Sequence, residues 1–162
     1  MVTRVVTGGA ANGRVFGMGV GPSKHGLRRN NLQMRNGWLS IAGVLGALGV
    51  VLGAFGAHGL KERLPQDLLA TFEVGVRYHM YHALALMVVA LAMTNQGQNR
   101  WLTRACAAWA IGIAIFSGSL YALTLTNARW IGAITPIGGV AFIAGWGFLV
   151  MAGLRGGAGN KP

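Results

Sequence analysis

The chain has 162 residues, of which 53% are hydrophobic, 10% charged and 27 glycine. A soluble domain carries roughly 25% Asp, Glu, Lys and Arg, so too few charges remain to cover a water-soluble globule of this size. The formal charge of +11 comes from 14 Lys and Arg against three acids, Glu62, Asp67 and Glu73. Such a balance can signal nucleic-acid binding, but here the basic residues flank long apolar runs, as membrane topology demands. No nucleic-acid partner is expected.

Residues 1–33 contain seven glycines, no acid and no apolar periodicity, and are expected to be a disordered basic tail. Met34, immediately before the first apolar run, is a candidate start that would make the upstream part a gene-model extension. If translated, the tail's basic residues would meet anionic lipid at roughly 1 kcal/mol each. A transit peptide is a third reading, though the tail is poor in Ser, and no continuous apolar stretch before Gly21-Pro22 supports a cleavable signal peptide.

Residues 34–155 form the expected membrane domain, with 156–162 as a C-terminal tail. Charge-free windows run Asn36–Leu60, Tyr78–Asn99, Ala105–Ala128 and Trp130–Leu154. Each exceeds the roughly 20 residues a helix needs to cross the bilayer. They predict four spans, approximately 37–57, 74–94, 104–125 and 131–153, in an all-α bundle of antiparallel up-down hairpins. Trp38, Trp101 and Trp130 stand at run edges, where indoles favour the headgroup region; Trp109 and Trp146 lie further in, as packing residues.

The first span carries Gly43, Gly46, Gly49, Gly53 and Gly56, with Gly49 and Gly53 in GxxxG spacing. Helices in lipid associate where small residues let backbones approach closely, so these glycines are candidate helix-packing positions. The second window is strictly apolar only over Ala83–Met93, with Thr94–Asn99 reading as loop. A full crossing must therefore extend backward to Val74, which brings Arg77, Tyr78, His79, Tyr81 and His82 to the membrane edge or deeper. Arg77 lies one helical turn after Glu73. The third span contains Cys106, the only cysteine, which rules out an intrachain disulfide, and Ser117, Ser119 and Tyr121. The fourth begins near Thr135-Pro136, where the proline is expected to bend the helix.

Basic residues favour one side. Arg4, Arg14, Lys24, Arg28, Arg29, Arg35, Arg100, Arg104, Arg155 and Lys161 lie there, against Lys61, Arg63, Arg77 and Arg129 opposite. The positive-inside rule then places both termini in the cytoplasm. Following the hairpins, His58, Glu73, Arg77, Tyr78, His79, His82, Ser117, Ser119, Tyr121 and Thr135 all map to the non-cytoplasmic half as one candidate polar cluster. His58, His79 and His82 are expected at the same membrane surface.

Polar groups at membrane depth are costly and often functional. These residues can satisfy one another, handle protons or ions, or bind a quinone or lipid. His79 and His82 can also ligate haem or a metal, although zinc needs three or four ligands and only His58 or a carboxylate could complete the set. No G-x-S-x-G elbow is present, and no catalytic residue, metal or cofactor is expected.

Gly53-Ala54-Phe55-Gly56-Ala57-His58-Gly59-Leu60, Tyr81-His82-Ala83-Leu84-Ala85-Leu86, Phe116-Ser117-Gly118-Ser119-Leu120-Tyr121 and Ile134-Thr135-Pro136-Ile137-Gly138-Gly139 occur in this order. Together they resemble the domain-of-unknown-function 423 family, small bacterial inner-membrane proteins with eukaryotic relatives. The resemblance covers about Met34–Leu154 and implies a four-span membrane protein without an established activity. The leading expectation is a non-enzymatic accessory or structural membrane protein, contacting lipids and forming a homo-oligomer or part of a larger complex. A small transporter or proton/ion conductor is the alternative, and a haem or metal protein the third.

Overall fold

The computed structural model describes residues 24–96 and 99–156, and the surroundings of side chains within 37–95 and 99–155. Helix α1 (Lys24–Ala54) runs without a break into a π-helical turn at Phe55–Leu60. Helix α2 (Gln66–Gln96) returns. Helix α3 (Arg100–Gly112), a π-helical turn (Ile113–Ser117) and α4 (Gly118–Thr126) form the third rod. A 3₁₀ turn (Arg129–Ala133) leads into α5 (Thr135–Gly156).

Among the described residues, four segments are long and apolar enough to cross a membrane: Gly37–Leu60, Gln66–Asn95, Arg100–Thr126 and Arg129–Arg155. The protein is an integral membrane four-helix bundle. Span one packs chiefly along span two, span four along span three, and spans two and three against each other. Val44, Val50 and Val51 on span one and Ile137, Val140 and Ile143 on span four are exposed, as side chains facing lipid tails should be. Leu86, Met93, Ala105, Cys106, Trp109 and Phe142 fill the centre.

Several boundaries depart from the sequence expectations. Residues 24–33, expected to be disordered, belong to α1; Leu, Arg, Gln and Lys are good helix formers even where no apolar face announces them. Residues 1–23 of the expected tail lie outside the described residues. Helix α2 starts at Gln66, earlier than 74. Pro65 accepts the Leu69 N–H at 3.0 Å, Asp67 sits in the positive first turn, and both features favour initiation there. The same helix runs on through Thr94, Asn95 and Gln96, which read as loop in sequence. Its 31 residues reach about 46 Å, well beyond the roughly 30 Å of hydrocarbon, so both polar ends project.

The turns are closed by named groups. Leu60 O accepts from Arg63 N and Leu64 N, each at 2.9 Å. Asn99 caps α3 through Oδ1, which accepts the Trp101 N–H at 2.9 Å. Asn127 ends α4 at φ 55°, a left-handed conformation that Asn tolerates better than most residues. Pro136 occupies the first turn of α5, where its missing N–H costs nothing, so the change of direction falls at the 3₁₀ turn before it.

The sharpest backbone approach is at Gly138, where a Cβ would collide with the backbone N of Phe116. Phe116 lies in the π-helical turn of span three, which packs against α5. Gly49, Gly53 and Gly56 face α2, against Met80, Val76 and Phe72. Gly43 and Gly46 were expected to pack as well, but a Cβ at either position would meet no described atom within 4 Å. Both turn away from α2, whereas at the same level Ala42 is buried in the core and Leu45 O meets His79.

Candidate functional site

The buried polar side chains cluster on spans two and three, and span two, with the lowest mean hydropathy of the four at 1.3, supplies the two histidines. His79 and His82 are 3% and 5% exposed. One helical turn separates them, yet they point to different neighbours. His79 faces spans one and three; His82 faces span four.

His79 Nε2 lies 2.9 Å from Leu45 O. A carbonyl only accepts, so Nε2 carries the proton and donates. Nδ1 lies 3.3 Å from the Tyr121 hydroxyl. Gly49 faces the same ring, and a Cβ there would be in ordinary contact with His79 Cδ2 at 3.6 Å and tighter against Met80 Sδ at 3.1 Å. His79 therefore ties spans one, two and three together.

At His82 the donors are reversed. Trp146 Nε1–H donates to His82 Nε2 at 3.2 Å, and an indole nitrogen can only donate. His82 Nε2 must therefore be unprotonated, and Nδ1–H donates to Tyr78 O at 2.8 Å. The Phe142 ring stacks on the imidazole with centroids 3.5 Å apart and planes 9° apart. This imidazole is neutral in one tautomer, with both nitrogens used.

The histidines differ in one chemical respect. A phenol hydroxyl can donate or accept, so the His79–Tyr121 pair keeps its hydrogen bond whichever partner holds the proton. The His82–Trp146 pair does not, because a protonated Nε2 would face an N–H.

A second polar contact joins spans three and four, where Ser119 Oγ and Thr135 Oγ1 lie 2.8 Å apart. Ser119 also donates to Phe116 O at 2.8 Å, inside the π-helical turn. Ser117 is fully buried beside it. Tyr78 is 41% exposed and packs on Phe116 at a tilt, with centroids 5.0 Å apart.

His58 does not join this group. It sits exposed in the π-helical turn at the end of span one. Leu45, the partner of His79, lies 13 residues earlier, about 20 Å along the helix. The expectation of one shared membrane surface fails because α2 begins at Gln66, which carries His79 deep into the bilayer. Glu73 and Arg77 occupy a third place. With Gly53, Gly56, Ala57, Phe72 and Val76 they line a groove of about 260 Å³ between spans one and two. Among the described residues no three His, Cys, Asp or Glu side chains come together as a metal site.

Phe142 and Trp146 complete the His82 environment, and sequence reading did not assign them to it. Their spacing of four residues places them on one face of α5, and that was the available signal.

Residues 52–139 match the family described as "Protein of unknown function (DUF423)". The chain belongs to this family. The match covers His79, His82, Ser119, Tyr121 and Thr135, while Leu45, Phe142 and Trp146 fall outside it. The chain is 47% identical over 116 residues to the UPF0382 membrane protein YwdK of Bacillus subtilis, covering 71% of this chain and 94% of that one. It is 41% identical over 113 residues to a UPF0382 membrane protein of Haemophilus influenzae, covering 70% and 90%. It is 36% identical over 117 residues to the UPF0382 inner membrane protein YgdD of Escherichia coli, covering 72% and 88%. No solved structure matches. This DUF423 chain is thus a membrane protein from a family whose description assigns no activity.

Proposed function

We propose that the protein is a non-enzymatic structural or accessory component of the bacterial inner membrane, with both termini cytoplasmic, that works in a larger membrane complex or as a homo-oligomer. The observation that carries this reading is the state of His82. Both ring nitrogens are engaged inside the bundle, and Phe142 covers one face. To bind a metal or act as a base, Nε2 would have to give up Trp146. Its chemistry is spent on joining spans two and four, as His79 joins spans one, two and three.

Orientation is supported by charge. Arg100, Arg104 and Arg155 share one side with Lys24, Arg28, Arg29 and Arg35 at the start of α1, against Lys61, Arg63, Arg77 and Arg129 opposite, and the positive-inside rule assigns the more basic side to the cytoplasm. The name of the Escherichia coli relative supports the inner membrane.

Extraction of the tagged full chain in mild detergent tests the proposal. The expected result is a stoichiometric partner or a defined oligomer, with no visible absorbance band and no bound metal by elemental analysis. A monodisperse monomer, a haem spectrum or stoichiometric metal contradicts it.

One observation favours a second reading, proton handling at His79 and Tyr121, because that hydrogen bond survives proton movement in either direction. Liposome proton flux that falls in Tyr121→Phe supports this reading, and equal flux in the two proteins removes it.

A further inference from the structure

Three guanidinium groups surround a single indole at one membrane face. Arg100, Arg104 and Arg155 place Cζ at 5.1, 5.0 and 4.9 Å from the centroid of the Trp101 ring. Two come from the first turns of α3 and one from the last turn of α5, so tertiary packing, not one run of sequence, assembles the group. All being within about 5 Å of one point, no two are more than about 10 Å apart. That separation is comparable to the Debye length at physiological ionic strength, so their mutual repulsion is not screened away.

No side-chain carboxylate offsets it. The chain's three acids are Glu62, Asp67 and Glu73. Glu73, the nearest of them to this end of α2, lies 23 residues before Gln96, or about 35 Å along the helix. Cation–π contact with one indole gives each arginine only a weak attraction at an exposed site. The Trp101 ring packs on Phe148, centroids 6.1 Å apart. Arg155 follows Phe148 by seven residues, on the same face of α5, and the adjoining Leu154 is 69% exposed, an apolar side chain beside the cluster.

We propose that Arg100, Arg104, Arg155 and Trp101 hold the phosphate headgroup of an anionic phospholipid at the α3–α5 seam. Guanidinium forks match phosphate oxygens two at a time, and basic pockets between membrane helices are suited to anionic headgroups. The net charge of the ligand follows from the cluster. With three cations and no acid, a zwitterionic headgroup would leave its ammonium unpaired, whereas an anionic one offsets the repulsion. The site is independent of the proposed function and of the absolute orientation.

The test is native mass spectrometry of the delipidated full chain in detergent, titrated with phosphatidylglycerol or phosphatidylethanolamine. The wild type should retain one phosphatidylglycerol in preference to phosphatidylethanolamine. Arg155→Gln, at the exposed end of α5, should weaken retention about five-fold, and the triple Arg100→Gln, Arg104→Gln, Arg155→Gln variant should abolish the preference. Arg129→Gln, at the opposite face, should change nothing. Equal retention of the two lipids, an unchanged preference in both arginine variants, or an equal loss in Arg129→Gln would overturn the site. Displacement of the lipid by equimolar inorganic phosphate would overturn the lipid assignment in favour of a free-anion site.

Discussion

The indole N–H of Trp146 points at Nε2 of His82 from 3.2 Å, a contact across 64 sequence positions that fixes both the tautomer and the charge of the imidazole. It joins span four to span two, whose backbones otherwise make little contact. Replacing Trp146 with Phe keeps a ring but removes the donor. Hydrogen bonds between membrane helices average about 0.6 kcal/mol and reach about 1.7. Trp146→Phe should therefore destabilise the bundle by about 1 kcal/mol, and His82→Ala by more, because the Phe142 stack is lost too. Equilibrium unfolding in mixed micelles reads both, and equal stability of all three proteins would refute the linkage.

Tyr121 and Leu45 both hold His79, but unequally. Tyr121→Phe removes only the 3.3 Å bond and should cost about 0.6 kcal/mol. His79→Leu removes both links and should cost about 1–2 kcal/mol. Cysteine cross-linking between spans one and two should also fall in His79→Leu while persisting in Tyr121→Phe.

The glycines of this chain divide sharply. At Gly138 an added methyl would meet the Phe116 backbone, which cannot swing aside as a side chain can. Gly138→Ala should cost about 3 kcal/mol. Gly43→Ala and Gly46→Ala meet open space and should stabilise their helix by about 0.5–1 kcal/mol. Thermal denaturation in detergent separates the two classes.

Much of the architecture was readable because charge is so scarce. Arg100, Arg104 and Arg129 punctuate the chain where spans end, and lipid forbids anything but helix between them. Helix ends were less legible. Hydropathy is silent about Lys24–Gly37 and Gln66–Phe72, where propensity and Pro65 decide. The consequence reaches the site, since an α2 starting at 74 would keep His79 near His58, whereas one starting at Gln66 lowers it to the level of Leu45. The pairing of His79 with Tyr121 and of Ser119 with Thr135 joins residues that sequence had placed in one half of the membrane. The His82–Trp146 bond was illegible because its partners are remote in sequence and nothing local encodes which faces of α2 and α5 meet.

Asn127 ends α4 with φ 55°. Asn127→Gly should be nearly neutral, and Asn127→Ala should cost about 1 kcal/mol, with the difference visible in the unfolding midpoint.

His82 is, centrally, a neutral internal strut whose nitrogens are both committed. Nitrogen NMR of the histidine-labelled full chain in lipid nanodiscs tests this most directly. The expected spectrum holds a single His82 ring signal with Nδ1 protonated and Nε2 bare, the latter shifting when Trp146 becomes Phe. An imidazolium signal, the opposite tautomer, or an Nε2 resonance indifferent to Trp146→Phe would contradict it.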